Sequence, residues 1–128
     1  MPETRRKRIL IVEDEALVAM LLEDMLTELG FDVVGPAHTL PRALELLESE
    51  PVDAAILDVN LGNCRSYPIA QKAAAKGIPF IFASGYDSPG AQWDGPTRML
   101  RKPFDNRTLR AAVVALLGPL ESCDPQDL

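Results

Sequence analysis

The spacing of apolar residues alternates between two periods along the chain, and this alternation predicts strands separated by helices. Short apolar runs rich in β-branched residues predict five strands, which cover Arg8–Val12, Phe31–Val34, Val52–Asp58, Ile78–Ala83 and Thr97–Arg101. Apolar residues at helical spacing fill the intervals, and the stripe of the first helix contains Val18, Leu21, Leu22, Met25, Leu26 and Leu29. This order predicts an α/β fold, with a doubly wound five-stranded parallel sheet and helices on both faces.

Turn-forming residues and helix caps mark where the first three helices begin and end. The first helix ends at Gly30, and Thr39 caps a second helix that ends near Glu50. After the third strand we predict a polar loop over Val59–Ser66 and a third helix over Tyr67–Lys76. The inward side of this third helix is predicted to consist of Ile69, Ala70, Ala73 and Ala74.

The later part of the chain contains one weak helix and one strong helix. The interval Ser84–Pro96 is rich in glycine and proline, so we expect the fourth helix to be short or irregular. Asp105 or Asn106 can cap the last helix, which ends at Gly118.

Length and composition fit one small domain. The chain has 128 residues, of which 47% are hydrophobic, and this suffices for one core. We assign residues 8–118 to this domain, residues 1–7 to a basic lead-in and residues 119–128 to an acidic, flexible tail.

The charge balance excludes some classes of partner. With 19 acidic and 13 basic side chains the net charge is −6, which argues against non-specific binding to nucleic acids or anionic membranes. The basic run Arg5–Arg8 is compatible with a nucleic-acid arm or the start of a signal peptide, but a solvated lead-in is the favoured interpretation because the apolar run after it is short. No stretch reaches the roughly 18 apolar residues of a membrane span. We therefore expect a cytoplasmic protein.

Cysteine and histidine offer little scope for catalysis or metal binding. The two cysteines, Cys64 and Cys123, lack the spacing of metal ligands and are expected to be free thiols. Cys64 follows the third strand, where redox sensing and an incidental loop position are both open, and the second is favoured. His38 is the only histidine and is expected to be an ordinary loop residue.

Polar residues stand at the ends of four predicted strands. Glu13 and Asp14 follow the first strand, Asp58 the third, Ser84 the fourth and Lys102 the fifth. Ligands of open α/β sheets bind at the carboxyl ends of the strands, so we expect these side chains to meet. Three clustered carboxylates beside one lysine would raise one another's pKa unless a cation intervened. Oxygen donors favour Mg²⁺ over zinc.

The same residues suit phosphoryl chemistry. Asp58 is the best candidate nucleophile, because it stands alone at the end of a buried strand while Glu13 and Asp14 are free to hold the metal; its product would be an acyl phosphate. Lys102 and the Ser84 hydroxyl would stabilise the phosphoryl oxygens. The competing interpretation makes Lys102 a solvated surface charge and Ser84 a helix cap.

The candidate residues lie in four motifs: the acidic pair in ILIVEDE, the aspartate in AAILDVNL, the hydroxyl in IFASGY and the lysine in LRKPF. In their order and spacing these motifs resemble those of the receiver domain of two-component response regulators. The resemblance covers about Arg8 to Leu117 and implies a flavodoxin-like sheet of order 2-1-3-4-5. It also implies that Asp58 is phosphorylated by a histidine kinase or a histidine phosphotransfer protein.

The resemblance further implies the roles of the surrounding residues. Asp14 and Asp58 would ligate Mg²⁺ directly with the backbone carbonyl of Asn60, and Glu13 would act through water. Ser84 and Lys102 would bind the phosphoryl oxygens. A cis peptide would precede Pro103.

Two features depart from the common receiver pattern. Met99 stands three residues before Lys102, where receivers usually carry the aromatic residue that couples to the hydroxyl. The sequence FASGYDSPG is similar to that of a subgroup of single-domain receivers. Gly85 predicts that the segment after Ser84 is mobile, and we expect phosphorylation to order this segment through Ser84. We also expect Asn60 and Tyr86 to border the route of the hydrolytic water.

We expect no output domain after the last helix, since only a short acidic tail follows it in this sequence. We therefore expect either a stand-alone receiver, monomeric or weakly dimeric, or a receiver excised from a larger regulator. Its output would be contact with a partner protein or relay of the phosphoryl group.

Two other classes of protein are compatible with parts of the pattern. A phosphatase of the haloacid dehalogenase type also carries a nucleophile at the end of an apolar strand, but its second acid is replaced here by Asn60. The other class is an interaction module that keeps the fold without being phosphorylated.

Overall fold

The computed structural model describes residues 6–62, 64–84, 99–102 and 104–117. The elements within these residues are β1 (Arg8–Val12), α1 (Ala16–Glu28), β2 (Asp32–Ala37), α2 (Leu40–Ser49), β3 (Ala54–Asp58), β4 (Asn60–Leu61), β5 (Cys64–Arg65), α3 (Tyr67–Ala75), β6 (Phe80–Ser84), β7 (Met99–Arg101) and α4 (Asn106–Leu117). All five strands predicted from the apolar runs are present, as β1, β2, β3, β6 and β7.

These five strands form one parallel sheet. Its order is β2-β1-β3-β6-β7, which is the predicted order 2-1-3-4-5 once the short strands β4 and β5 are left out of the numbering. In the centre of the sheet, Leu10 of β1 pairs with Ala55 of β3, and Ile56 of β3 pairs with Ile81 of β6. The prediction of a flavodoxin-like, doubly wound sheet is confirmed.

The sheet is covered by an apolar layer on each face. Leu10 and Val12 of β1 belong to the layer that contains α2 and α3, whereas Ile9 and Ile11 belong to the layer of α1 and α4. Because successive residues of a strand face opposite sides, a strand covered on both faces must be apolar at nearly every position. All five residues of β3 and of β6 are buried accordingly.

Strand β2 continues past its predicted end at Val34. The predicted range Phe31–Val34 stopped short of Gly35 and Pro36, and this was wrong because β2 continues through both to Ala37. Gly35 has a φ of +90°, and a Cβ there would lie 2.7 Å from the backbone nitrogen of Ala37, so glycine permits the register shift that keeps β2 paired with β1. The extension brings the Ala37 carbonyl to 2.9 Å from the N–H of Glu13.

The predicted polar loop over Val59–Ser66 contains a small hairpin. Strands β4 and β5 are antiparallel, with Asn60 opposite Arg65 and Leu61 opposite Cys64. Leu61 is buried and Cys64 is exposed. The prediction of a loop without secondary structure was therefore wrong. The segment forms a two-stranded hairpin, which begins at Asn60, two residues after the end of β3.

Two residues predicted to face the core are exposed. Leu21 of α1 is 61% exposed, while Leu22 and Leu26 are buried. In α3, Ala74 is exposed although Ala73 is buried. Each helix contacts the sheet along a narrower stripe than its apolar spacing predicts.

The predicted caps of two helices are confirmed. The Thr39 hydroxyl accepts a hydrogen bond from the N–H of Arg42 at 3.3 Å, and the Asp105 carboxylate accepts one from the N–H of Thr108 at 2.8 Å. These bonds satisfy helix N–H groups that have no partner within the helix.

Several predictions fall outside the described residues. They concern the short or irregular fourth helix, Gly85, Tyr86, Pro103, Cys123 and the tail 119–128. Among the described residues, no helix has the length and apolar character needed to cross a membrane.

Candidate functional site

Charged and hydroxyl-bearing residues from four neighbouring strands meet at the carboxyl edge of the sheet. Glu13 and Asp14 follow β1, and Asp58 ends β3. Ser84 ends β6, and Lys102 follows β7. The register places Asp58 opposite Ala83, so Ser84 lies one residue beyond the partner of Asp58. The predicted meeting of these residues at one edge is present in the structure.

The three carboxylates form a tight cluster. One oxygen from each of Glu13, Asp14 and Asp58 lies within 4.8 Å of the others. The residues differ in exposure, because Glu13 is 1% exposed and Asp58 8%, whereas Asp14 lies at the surface. Glu13 is therefore buried within the cluster, and Asp14 is the acidic group that solvent reaches.

Lys102 joins the cluster through two of its carboxylates. Its Nζ lies 2.9 Å from Oε1 of Glu13 and 3.6 Å from Oδ1 of Asp58. Burial opposes the charged ammonium, but the hydrogen bond to Glu13 and the attraction of both carboxylates raise the pKa of Lys102 above its usual value. Lys102 is thus held as a cation at the cluster, which disfavours the interpretation of a solvated surface charge.

Asp58 is the perturbed acid of the cluster. Burial and then repulsion by Glu13 raise the pKa of Asp58 from 3.8 to about 7, against the opposing attraction of Lys102. Hydrogen bonds that Asp58 shares with Glu13 and Asp14 act in the same direction as burial. The expectation that clustered carboxylates would raise one another's pKa is met at Asp58.

Ser84 and Met99 lie on the two strands nearest Lys102. Ser84 is 3% exposed, and its carbonyl accepts a hydrogen bond from the N–H of Lys102 at 2.9 Å. Met99 pairs with Phe82 and packs against the apolar layer of α2 and α3. A flexible methionine at this position is therefore in contact with the core.

Comparison with known proteins identifies the family. Residues 9–114 match the family model described as the response regulator receiver domain. The chain belongs to this receiver family. Over 112 residues the receiver is 34% identical to the transcriptional regulatory protein PdtaR of Mycobacterium tuberculosis strain H37Rv. The aligned region covers 84% of this chain and 55% of PdtaR. The receiver thus spans about half the length of that relative.

Solved structures of the receiver fold are also similar. The solution structure of SdrG from Sphingomonas melonis Fr1 has a TM-score of 0.74 and 42% identity, and it covers 91% of this receiver and all of SdrG. The BeF3-activated conformation of SdrG from Pseudomonas melonis Fr1 has a TM-score of 0.74 and 44% identity, with coverage of 87% of this receiver and 96% of that chain.

The donor set of the receiver fits a hard divalent cation. Glu13, Asp14 and Asp58 offer oxygen atoms, which Mg²⁺ prefers and softer metals do not. A divalent cation among them would also offset the repulsion by Glu13 that raises the pKa of Asp58. The residues therefore fit the metal that the family implies.

The receiver contains site contacts that sequence reasoning did not find. The Nδ1 atom of His38, an exposed loop residue, lies 2.9 Å from the backbone carbonyl oxygen of Glu13. The N–H of Gly62 donates to Oδ2 of Asp14 at 3.0 Å. Both contacts depend on tertiary structure, since β2 must extend to bring His38 near β1, and the hairpin must form to bring Gly62 to Asp14.

Proposed function

We propose that the receiver accepts a phosphoryl group on Asp58 in a Mg²⁺-dependent reaction with a histidine kinase or a histidine phosphotransfer protein. The observation that carries this proposal is the position of Lys102, whose ammonium lies between a buried glutamate and the perturbed carboxyl of Asp58. A cation beside a reactive carboxylate suits the developing charge of phosphoryl transfer.

The other residues of the cluster have supporting roles in this proposal. Asp14, Asp58 and the Asn60 carbonyl would hold Mg²⁺ directly and Glu13 would hold it through water; the bound ion would neutralise charge on the phosphoryl oxygens. Lys102 and Ser84 would orient the phosphoryl group from the β6–β7 side. Gly85, Tyr86 and Pro103 stay proposed as modulating residues.

The phosphoryl transfer itself places few demands on the protein. An oxygen of the ionised Asp58 attacks phosphorus, the bond from phosphorus to the donor nitrogen breaks, and its electron pair remains on the departing imidazole. Asp58 must be deprotonated to attack, so a cation that lowers its raised pKa also prepares the nucleophile. The reaction requires positioning and charge stabilisation, which the described side chains can supply.

The proposal predicts a stoichiometric covalent adduct. Incubation with Mg²⁺ and acetyl phosphate should add one phosphoryl group to the wild-type chain and none to Asp58→Asn, as intact-mass spectrometry would show. Asp24→Asn, an exposed acid of α1, is the matched control and should be modified like the wild type. A folded wild-type protein that gains no adduct would support the unphosphorylated interaction module.

The phosphatase alternative makes a different prediction when a phosphomonoester is supplied as substrate. Continuous hydrolysis of a phosphomonoester, with many turnovers for each molecule, would favour it.

The family is one of signalling modules, and we infer that this receiver catalyses only its own phosphorylation and dephosphorylation. We further infer that it acts in the cytoplasm through protein contacts made by a domain spanning residues 8–118.

An apolar groove beside Lys102 suggests where the phosphodonor docks. The groove has a volume of about 350 Å³ and is lined by Val18, Leu21, Leu22, Met25, Lys102 and Phe104. Helix α1, which supplies most of this lining, also exposes three large apolar side chains: Leu17 (75% exposed), Met20 (57%) and Leu21 (61%). Since Lys102 lines the groove and contacts Asp58, a helix of the donor protein seated there would bring its phosphohistidine to Asp58.

Leu21→Ser is expected to separate docking from chemistry. Phosphotransfer from a histidine phosphotransfer protein of the same organism should slow by about tenfold or more, because an apolar anchor is lost. Phosphorylation by acetyl phosphate should change by less than about twofold, since Leu21 makes no part of the carboxylate cluster. Glu45→Ser, on the opposite layer, serves as control. Equal slowing with both donors, or no slowing with the protein donor, would contradict docking at this groove.

A further inference from the structure

The β4–β5 hairpin is bonded to the acidic cluster at its tip and to the residue after β3 at its base. At the tip, the N–H of Gly62 donates to Oδ2 of Asp14 at 3.0 Å. At the base, the N–H of Ser66 donates to the carbonyl of Val59, the residue after Asp58, at 2.9 Å. The hairpin is therefore fixed in place beside the carboxyl of Asp58.

Arg65 holds the side chain of Asn60 within this hairpin. The two residues are directly opposite in the antiparallel register, and Nη1 of Arg65 donates a hydrogen bond to Oδ1 of Asn60. Arg65 is exposed and Asn60 is half-buried, so the bond lies at the solvent side of the site. It engages the acceptor atom of the Asn60 amide and leaves the NH₂ group as its donor end.

We propose that Arg65 is a positioning residue that prolongs the lifetime of the acyl phosphate by engaging the side-chain oxygen of Asn60. This inference rests on the proposed function, because it requires Asp58 to be phosphorylated. Asn60 lies two residues after Asp58, and its amide oxygen is an acceptor suited to orienting a water molecule toward the phosphoryl group.

The step that Arg65 controls is hydrolysis of the acyl phosphate. The oxygen of water forms a bond to phosphorus, and the bond between phosphorus and the Asp58 oxygen breaks. The electron pair of the broken bond returns to the carboxylate, inorganic phosphate departs, and the proton of water passes to bulk solvent. Orientation of the attacking water accelerates such a step, so a guanidinium that engages the orienting acceptor slows it.

Removal of the guanidinium is expected to shorten the lifetime. Arg65→Met should accelerate loss of the phosphoryl group by about threefold to tenfold, the kinetic equivalent of freeing one side-chain hydrogen bond. Arg65→Lys keeps a donor and should stay within about twofold of the wild type. Arg42→Met, which removes an exposed arginine paired with Glu45 on α2, is the matched control and should leave the lifetime unchanged. The measurement is decay of the intact-mass adduct after removal of the donor.

A double-mutant cycle identifies the route of the effect. In an Asn60→Ala background, Arg65→Met should no longer change the lifetime, because the acceptor that it frees is gone. Acceleration of the same size in that background would overturn the proposal, since Arg65 would then act on the phosphoryl group by itself. Equal lifetimes of the wild type and Arg65→Met would also overturn it.

A second measurement needs neither metal nor phosphate. The side-chain NH₂ resonances of Asn60 in the metal-free protein should shift in Arg65→Met and remain near their wild-type positions in Arg65→Lys. Unchanged resonances in Arg65→Met would contradict the positioning contact, even if phosphorylation could not be measured. A wild type that forms no adduct would instead refute the proposed function, so the two failures are distinguishable.

Discussion

In the absence of divalent cations, Asp58→Asn is expected to be more stable than the wild type at about pH 8, by up to about 4 kcal/mol of unfolding free energy. The reason is the pKa of Asp58, which burial and the nearby Glu13 raise from 3.8 to about 7. A pKa difference of one corresponds to about 1.4 kcal/mol, and the two pKa values differ by about three. Asparagine has nearly the same shape and carries no charge to desolvate.

The sign of the pH dependence follows from proton binding. Between about pH 4 and 7 the folded state retains a proton on Asp58 that the unfolded state has released. The contribution of this carboxyl to stability is therefore fully present below about pH 4 and is lost as the pH rises through 7. The stability of Asp58→Asn relative to the wild type should grow across that range and level off above it.

Urea denaturation in the presence of a chelator at about pH 5 and about pH 8 would check this expectation. Asp24→Asn, an exposed acid on α1, provides the control and should follow the wild type at both values. Parallel pH profiles for the wild type and Asp58→Asn would show that Asp58 is not the perturbed acid.

Lys102→Met is expected to lower the unfolding free energy by about 2–4 kcal/mol at neutral pH. Glu13 is 1% exposed, and its Oε1 lies 2.9 Å from the Lys102 ammonium. Removal of the ammonium leaves a buried carboxylate without a cation, which is more destabilising than loss of a surface ion pair. The same substitution also removes the cation nearest to Asp58 among the described side chains, so phosphorylation should slow.

A second substitution should recover much of the lost stability. In Lys102→Met with Glu13→Gln the buried charge is gone, and replacing both partners of a buried pair is far less destabilising than replacing one. Lys72→Met, which breaks the exposed pair with Glu48, should change stability by less than about 1 kcal/mol. If the double substitution were as unstable as Lys102→Met alone, the buried ion pair would not explain the effect. Chemical denaturation supplies the measurement.

The central sheet could be predicted from the sequence because its strands are buried on both faces. Continuous apolar runs such as Ile9–Val12 and Ala54–Leu57 are typical of strands that are covered by helices on both faces. The strand order came from the resemblance to receivers and not from the apolar pattern. The edge strand β2 was predicted too short, because a Gly-Pro pair read locally signals a turn, whereas in the fold Gly35 lies within a bulge of a strand that continues.

Elements and contacts that depend on tertiary structure escaped prediction. The strands of the hairpin are two residues long, too short for any periodicity to reveal. Leu21 belongs to the same apolar stripe as Leu22, and only the packing of α1 shows that it is exposed. The functional site could also be predicted only in part. Its residue types could be named from the ends of the strands, but the burial of Glu13 and the contact of His38 required the fold.

The most direct test of the central claim locates the phosphoryl group on the chain. After phosphorylation with acetyl phosphate and Mg²⁺, reduction with borohydride converts an aspartyl phosphate into homoserine, and peptide sequencing by mass spectrometry identifies the converted residue. We expect conversion of Asp58 alone, dependent on Mg²⁺ and absent in Asp58→Asn. Conversion at another aspartate, or an adduct that forms equally well with a chelator present, would contradict it.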